Sequence, residues 1–374
     1  MFRTKHVLLS VTAAVTVTAT GACAANVGTK AEAKAPNSTS STSANESATG
    51  GAAWSADKLR LGYFANITHA APIVGVEKGI YAKHLGSTKL EAQIFNAGPA
   101  AVEALFGGTI DAAYLGPSPA VNAFAKSKGE AVRIVAGATT GGASLVVQSG
   151  AGIKSAADLK GKTIASPQKG GTQDVALRAY LQKNGVNVGG GKDEVNILAT
   201  ENATTLDQFK AKTIAGGWLP EPWASRLVVE GKGTVLVDEK TLWPAGTFVT
   251  THLLVSTQFL TKHPDVVEAL LEAQVETVDW INANKDEAKT TVNAALKNLT
   301  GKPLTDEVIT RAFDQITVTN DPAAASLGAS KDNAVKAGLL KDVDLKGIYD
   351  LTLLNEVLKA AGKPAVDAAG LGKV

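Results

Sequence analysis

The chain contains very little sulfur, since its 374 residues include one cysteine and one methionine. A single thiol cannot form an internal disulfide, so a disulfide-stabilised scaffold and a cysteine-based zinc site are both excluded. The five histidines are scattered along the chain, and no group of carboxylates has the spacing of a metal-binding loop. The sequence therefore predicts neither a metal site nor a cofactor.

A surplus of charge is also missing, with 37 Lys and Arg residues against 35 Asp and Glu residues. Loss of the amino-terminal segment described next would remove Arg3 and Lys5 and leave 35 residues of each sign. A neutral protein of this kind argues against nucleic-acid binding and against a broad polybasic contact with a membrane.

The one cysteine, Cys23, closes a segment typical of bacterial export. Arg3 and Lys5 form a basic start, residues 7–20 are apolar or small without charge, and two small residues precede the thiol. We predict a signal peptide over residues 1–22, because the run is too short and too weakly apolar to span a membrane. The pattern resembles the lipobox of bacterial lipoproteins, which implies that Cys23 is the lipid attachment site. An ordinary cleaved signal with an incidental cysteine is the alternative, because Thr20 stands where a large apolar residue is usual.

The next stretch predicts a flexible tether over residues 23–56. Residues 24–53 are mostly Ala, Ser, Thr, Gly, Asn, Lys and Glu, and Val27 is their one large aliphatic residue. Such a composition cannot bury enough apolar surface to fold. As a coil of about 30 residues it spans on the order of 30 Å, enough to hold a folded body just off a lipid surface.

Beyond residue 57, short β-type runs alternate with helical stretches, which predicts parallel sheets covered by helices. A first series of runs extends to about residue 136 and a second from residue 144 to 237, before a long extended run at 248–256 and a mostly helical remainder. We expect a two-lobe α/β fold with two crossover strands, near 144–148 and 248–256. The first lobe would comprise residues 57–144 and 251–374, and the second residues 145–250. Ligands bind at the carboxyl ends of strands in such sheets, so we expect a cleft between the lobes.

Three helix starts are candidates for binding an anion, because free N–H groups and the helix dipole favour negative charge there. Ser118 is predicted as an N-cap with Pro119 in the first helical position, and Thr172 is predicted to cap a helix beside Gln173. Thr68 is predicted to cap the first helix, with His69 as a further ligand candidate. Simple helix capping, or surface packing for His69, explains the same residues equally well.

Two stretches are similar to a catalytic motif and to a nucleotide-binding motif, but each lacks an essential feature of that motif. The run GPSPA at 116–120 is similar to a nucleophile elbow, but Pro119 has no N–H to contribute to an oxyanion hole. The glycine-rich run before Thr172 lacks the Gly-Lys-Ser/Thr ending of a P-loop.

The stretch WLPEPW at 218–223 places two tryptophans around a rigid turn with one acid. We expect one indole in the cleft and one in the core, with Trp218 as the cleft residue. Glu221 would pair with a ligand amine or lock the hinge. Gly142 and Ala143, just before the first crossover, are expected to line the same space.

These features together resemble the solute-binding proteins of ABC importers in the aliphatic sulfonate, taurine and nitrate group. The resemblance covers residues 57–300 and is carried by LRLGYF at 59–64, THA at 68–70, GTIDAA at 108–113, LKGKTIA at 159–165 and GWLPEPW at 217–223. It implies a type II periplasmic-binding-protein fold without catalysis, outside the cytoplasm, that delivers ligand to membrane permease subunits driven by a cytosolic ATPase. The pocket residues it implies are Thr68, His69, Ser118, Gly142, Ala143, Thr172, Gln173, Trp218 and Glu221.

The sequence leaves the ligand open. We expect a small organic anion, an aliphatic sulfonate or taurine, bound by a monomer. Nitrate, a thiamine-precursor-like compound and another small heterocycle are the alternatives. Enzymes that make the thiamine pyrimidine share the fold, but they need a cysteine- and histidine-rich segment that this chain does not have.

Overall fold

The computed structural model describes residues 54–373, so Cys23 and most of the predicted tether lie outside the described residues. In chain order, the strands of this part are β1 Lys58–Phe64, β2 Lys89–Phe95, β3 Ala112–Leu115, β4 Val132–Gly141, β5 Ala143–Val147, β6 Thr163–Ser166, β7 Asn187–Val188, β8 Glu194–Ala199, β9 Gly216–Pro220, β10 Thr234–Asp238, β11 Val249–Ser256 and β12 Ile316–Val318.

The α-helices of the same part are α1 Ala70–Glu77, α2 Ile80–Leu85, α3 Gly98–Phe106, α4 Pro117–Lys126, α5 Thr172–Lys183, α6 Asn202–Lys210, α7 Trp223–Val229, α8 Thr257–Lys262, α9 Pro264–Ala283, α10 Lys285–Thr300, α11 Asp306–Asp314, α12 Ala325–Lys336 and α13 Thr352–Ala360. Short 3-10 helices lie at Ile67–His69, Ala156–Leu159, Glu239–Leu242 and Pro244–Gly246. Within residues 54–373, no helix is both long and apolar enough to cross a membrane.

Two six-stranded sheets form the framework of residues 54–373. The first has the order β12-β4-β11-β3-β1-β2 and the second the order β10-β5-β9-β6-β8-β7. We call the parts built on them the first lobe and the second lobe. The prediction of parallel sheets is wrong at one side of each sheet, because β11 runs antiparallel to β3 and β4, and β5 runs antiparallel to β9 and β10. These antiparallel strands are the ones that enter each sheet from the other lobe.

The chain crosses between the lobes twice, first from β4 to β5 and then from β10 to β11. Gly142 lies at the first crossing with a φ of +75°, and a Cβ there would come within 2.5 Å of Ile316 Cγ2. A glycine is therefore required at this crossing, both by the backbone conformation and by the space. The residue boundaries assigned above to the lobes stay a prediction.

Each lobe has its own core. The core of the first lobe draws on residues 59–138 and again on residues 253–358, so the helical carboxyl-terminal part packs on the first sheet. In the second lobe the residues of one strand alternate between two clusters, with Leu145 and Val147 on one face of the sheet and Val146 on the other. This period of two is the geometry of a strand covered by helices on both faces.

The helix starts follow local chemistry, although the predicted N-caps are wrong by one or two residues. Helix α4 begins at Pro117 with Gly116 as N-cap, because the fixed φ of proline suits the first helical position. Helix α5 has Gly171 as N-cap, so Thr172 is its first residue. Thr68 lies inside a 3-10 helix, and the N-cap of α1 is His69.

Candidate functional site

A cavity of about 40 Å³ lies between the two lobes. Its lining follows the carboxyl ends of parallel strands: Asn66, Asn96 and Gly116 follow β1, β2 and β3, and Gln168 and Asn202 follow β6 and β8. This is the edge at which open α/β sheets bind their ligands. Since a buried water needs about 10–15 Å³ of such space, the cavity accommodates about three water-sized groups.

Helix α5 points its amino terminus at this cavity. Its first helical hydrogen bond runs from the N–H of Val175 to the carbonyl of Gly171 at 3.1 Å, so the N–H groups of Thr172, Gln173 and Asp174 are not used within the helix. Thr172 and Gln173 both line the cavity. Unused N–H groups and the positive end of the helix dipole make this end suited to a negatively charged ligand.

Helix α4, from the first lobe, contributes less. Pro117 and Pro119 have no N–H, and the N–H of Ala120 donates to the carbonyl of Gly116 at 3.2 Å. The N–H of Ser118 is therefore the one N–H of the first turn that no helical hydrogen bond uses. Ser118 is buried next to the lining residues Gly116 and Pro119, but it does not itself line the cavity. The starts of α4 and α5 are thus adjacent, but α5 offers more free N–H groups than α4.

His69 is a neutral hydrogen-bond donor at the cavity wall. The backbone N–H of Phe64 donates to His69 Nδ1 at 3.3 Å, so the proton of the neutral ring resides on Nε2. Burial lowers the pKa of His69 to about 3, which keeps the imidazole uncharged. With Nδ1 engaged by the backbone, Nε2–H is the ring group that remains for a ligand.

The backbone of Thr68 is held by both strands that cross between the lobes. Its carbonyl accepts hydrogen bonds from Thr139 Oγ1 of β4 at 2.7 Å and from Thr251 Oγ1 of β11 at 3.0 Å. Its N–H donates to the carbonyl of Glu221 in the second lobe at 3.5 Å. The loop that carries His69 is therefore positioned by the crossover itself.

Three buried polar atoms of the second lobe belong to lining residues and are available for a hydrogen bond to a ligand. Gln168 Oε1, Thr172 Oγ1 and Asn202 Oδ1 have no hydrogen-bond partner within residues 54–373, and all three residues line the cavity. Buried polar atoms are nearly always paired, so this cluster indicates a site that a polar ligand or solvent completes. No Lys, Arg, Asp or Glu is among the described lining residues, and the cavity is polar without a formal charge.

Of the nine predicted pocket residues, the structure brings Thr68, His69, Thr172 and Gln173 together at the cavity. Gly142 lies just behind it, where a Cβ would be 3.2 Å from Thr68 Cγ2. Ala143 is the first residue of β5 and is buried. Neither of these two residues lines the cavity.

Trp218 does not reach the cleft, contrary to the expectation that it forms a wall for an organic tail. It is fully buried in the core of the second lobe, where its Nε1 donates to Glu239 Oε2 at 2.7 Å and its ring packs 5.7 Å from that of Tyr180. Strand β9 places this side chain on the face of the sheet that α5 covers. The second indole, Trp223, contacts the cavity rim instead, since its Nε1 donates to Asn66 Oδ1 at 2.8 Å.

Glu221 also lies outside the cavity. It is 1 % exposed, and its Oε2 accepts a hydrogen bond from the N–H of Ser225 at 3.0 Å. Burial raises the pKa of this carboxyl to about 7. The N–H of Glu221 donates to the carbonyl of Gly142 at 2.9 Å, so this residue joins the turn after β9 to the first crossing. Its position matches the hinge role rather than a contact with a ligand amine.

Several lining residues are not among those predicted from the sequence, namely Asn66, Asn96, Gly98, Gln168, Asn202 and Thr250. A usable signal was present for most of them. Each of the first five follows the end of a strand, and Asn96 and Gly98 precede Pro99 at the start of α3. A polar residue between a strand and a helix start is the same pattern that identified Thr172.

Comparison with known proteins agrees with this architecture. The sequence profile of the NMT1-like family matches residues 52–296. A putative binding protein of Brucella abortus (strain 2308) is 28 % identical over 307 residues, which cover 78 % of this chain and 89 % of that protein.

Two solved structures are among those similar in fold. The nitrate-binding protein NrtA of Synechocystis PCC 6803 superposes with a TM-score of 0.72 at 19 % identity, over 83 % of this chain and 91 % of that one. The alkanesulfonate-binding protein SsuA of Xanthomonas axonopodis pv. citri, bound to MOPS, superposes with a TM-score of 0.63 at 23 % identity, over 76 % of this chain and 95 % of that one. The predicted two-lobe binding-protein fold is confirmed.

Proposed function

The chain belongs to the NMT1-like family, and we propose that it is the extracytoplasmic substrate-binding component of an ABC importer. The observation that carries the proposal is the neutral, polar cavity at the carboxyl ends of strands from both lobes. A ligand held there contacts both lobes at once. The proteins similar to this chain are named as binding proteins, for nitrate and for alkanesulfonates in the two structures above.

The ligand we propose is a small organic anion, an aliphatic sulfonate or taurine. A sulfonate stays ionised across the physiological pH range, so neutral donors can hold it without a cation. The N–H groups of Thr172 and Gln173 and the Nε2–H of His69 are such donors. Small size favours nitrate as the second candidate, because the cavity accommodates only about three water-sized groups.

The remaining parts of the proposal concern partners and location. We propose that the protein acts as a monomer that delivers its ligand to membrane permease subunits driven by a cytosolic ATPase. Acylation of Cys23 would anchor it to the outer face of the cell membrane, with residues 24–53 as the tether.

Thermal unfolding in the presence of candidate ligands tests the binding role. The panel consists of ethanesulfonate, taurine, nitrate, sulfate and the thiamine pyrimidine. A ligand that binds only the folded chain stabilises it by about 2.7 kcal/mol at 100 times its Kd, so a ligand of this site raises Tm measurably. A clear shift with the pyrimidine and none with any anion would refute the anion proposal and leave the fold.

The variant Thr172→Val assigns the effect to the cavity. It removes a buried hydroxyl without changing the shape of the side chain, and we expect it to weaken anion binding about tenfold. Thr352→Val is the matched control, because Thr352 is also the first residue of a helix but is exposed on α13. Equal weakening by both variants would indicate an indirect effect.

A further inference from the structure

Two asparagines of the first lobe each bridge the cleft with one end of the side-chain amide. Asn66 Oδ1 accepts a hydrogen bond from Trp223 Nε1 of α7 at 2.8 Å, and Asn96 Nδ2 donates to Glu201 Oε1 at 2.9 Å. Trp223 and Glu201 belong to the second lobe. Both asparagines also line the cavity, so each one touches the binding space and the opposite lobe at the same time.

The chemistry of the partners determines how each amide is turned. An indole N–H can only donate, so the oxygen of Asn66 must face Trp223 and its Nδ2 is left for the cavity. A carboxylate can only accept, so the nitrogen of Asn96 must face Glu201 and its Oδ1 is left over. The closed cleft therefore presents one oriented donor and one oriented acceptor, and neither orientation is imposed once the lobes separate.

We propose that Asn66 is a positioning residue that makes ligand binding and lobe closure depend on each other through its hydrogen bond to Trp223. The proposal rests on the binding function above. When the lobes close, Trp223 turns the amide so that its NH₂ group faces the ligand; when a ligand accepts that hydrogen bond, it holds the amide in the orientation that Trp223 requires. The bond between Asn96 and Glu201 repeats the arrangement at a more exposed part of the rim.

Burial makes the Asn66 bridge the stronger of the two. Asn66 is 6 % exposed, and Trp223 is partly buried with the guanidinium of Arg226 4.7 Å from its ring centre. Asn96 and Glu201 are both exposed, so water competes for their hydrogen bond. The N–H of Thr68 lies two residues from Asn66 and donates across the cleft to Glu221, which provides a backbone reporter of closure next to the bridge.

The variants Trp223→Phe and Asn66→Asp separate the two ends of the amide. Trp223→Phe removes the bridging donor but keeps a ring beside Arg226. Asn66→Asp keeps an acceptor for Trp223 but replaces the donor that faces the cavity by a carboxylate oxygen. Trp280→Phe is the matched control, since Trp280 also carries a cation over its ring, Lys78 Nζ at 4.4 Å, but packs against the core of the first lobe.

The first measurement needs no ligand. Hydrogen exchange of the full-length chain is followed by mass spectrometry in a peptide that contains Thr68. We expect exchange there to be about three- to tenfold faster in Trp223→Phe than in the wild type, because a hydrogen bond that stabilises the closed form is lost. Asn66→Asp and Trp280→Phe are expected to match the wild type. Equal exchange in the wild type and Trp223→Phe would overturn the proposal.

The second measurement uses ethanesulfonate as the probe. We expect Trp223→Phe to release it about three- to tenfold faster with an unchanged association rate, and Asn66→Asp to bind it more than tenfold more weakly. An unchanged release rate in Trp223→Phe contradicts the coupling. If the wild type does not bind ethanesulfonate while the exchange difference at Thr68 is present, the bridge stands and the sulfonate proposal fails.

Discussion

The indole Nε1 of Trp218 donates a 2.7 Å hydrogen bond to Oε2 of Glu239, and both side chains are buried. The bond joins β9, in the middle of the second sheet, to the 3-10 helix in which the chain begins its return to the first lobe. A residue that the sequence assigns to ligand binding thus holds a crossover segment in place.

Glu239 should make stability depend on pH. Burial raises its pKa to about 7, from about 4.5, so the folded chain favours the protonated acid. Stability from this group is complete below pH 4.5 and is lost as the pH rises to about 7. Glu239→Gln keeps an acceptor for Trp218 and removes the titration, so we expect it to be more stable than the wild type at pH 8, by up to about 3 kcal/mol.

The measurement is chemical unfolding at pH 5 and at pH 8. The two proteins should differ little at pH 5. Glu356→Gln, at an exposed position of α13, is the control and should follow the wild type at both pH values. A constant difference between Glu239→Gln and the wild type would contradict the titration of this carboxyl.

Trp218→Phe should lower stability and leave ligand affinity unchanged. The variant removes the indole N–H and leaves Glu239 Oε2 buried without its partner, which costs about 1–3 kcal/mol. Because Trp218 lies in the core and not at the cavity, the Kd of any anion from the panel should stay within twofold, by calorimetry. A large loss of affinity with little loss of stability would show that Trp218 takes part in ligand binding.

His69→Phe should weaken anion binding at least tenfold, because the Nε2–H donor is lost and the backbone N–H of Phe64 loses its acceptor, Nδ1. Since the pKa of His69 is lowered to about 3, the imidazole stays neutral from pH 5 to 8. The Kd of the wild type for an anion should therefore be constant over this range. Tighter binding towards pH 5 would show that a protonated imidazole takes part.

Gly116→Ala should hold the cleft open. A Cβ at this position would overlap Oγ1 of Thr172 and lie 3.2 Å from its Cβ, and the two residues belong to opposite lobes. Separation of the lobes relieves the contact, so we expect weaker binding with little change in the stability of the ligand-free chain. Gly328→Ala is the control, because a Cβ there meets nothing within 4 Å. Small-angle X-ray scattering at saturating ligand should give a larger radius of gyration for Gly116→Ala than for the wild type or Gly328→Ala.

Cys23→Ser tests the lipid anchor. If Cys23 is acylated, the variant should move from the membrane fraction to the soluble fraction of its native host. Continued membrane retention of the serine variant would exclude the lipobox interpretation.

Much of the site was predictable because helix starts and strand ends are local features. Thr68, His69, Thr172 and Gln173 were identified from short runs of polar and small residues between a strand and a helix, and they line the cavity. The failure at Trp218 has a local cause too. The sequence predicts a strand at 213–216, whereas β9 spans Gly216–Pro220. The earlier strand would leave Trp218 in a loop beside the cleft; the observed one makes it a strand residue on the face that α5 covers.

The sequence by itself determined the alternation of strands and helices and the helix starts that could hold an anion. It also determined that these loops offer no arginine side chain to bind one. These follow from interactions within a few residues of the chain. Only the tertiary structure decided which of these starts meet. Gly116 and Thr172 are 56 positions apart, and Asn66 and Trp223 are 157 apart; they come together because two crossings place the carboxyl ends of both sheets opposite each other. Strand order and lobe closure depend on packing between residues that are far apart in the sequence, and short sequence patterns do not predict such packing.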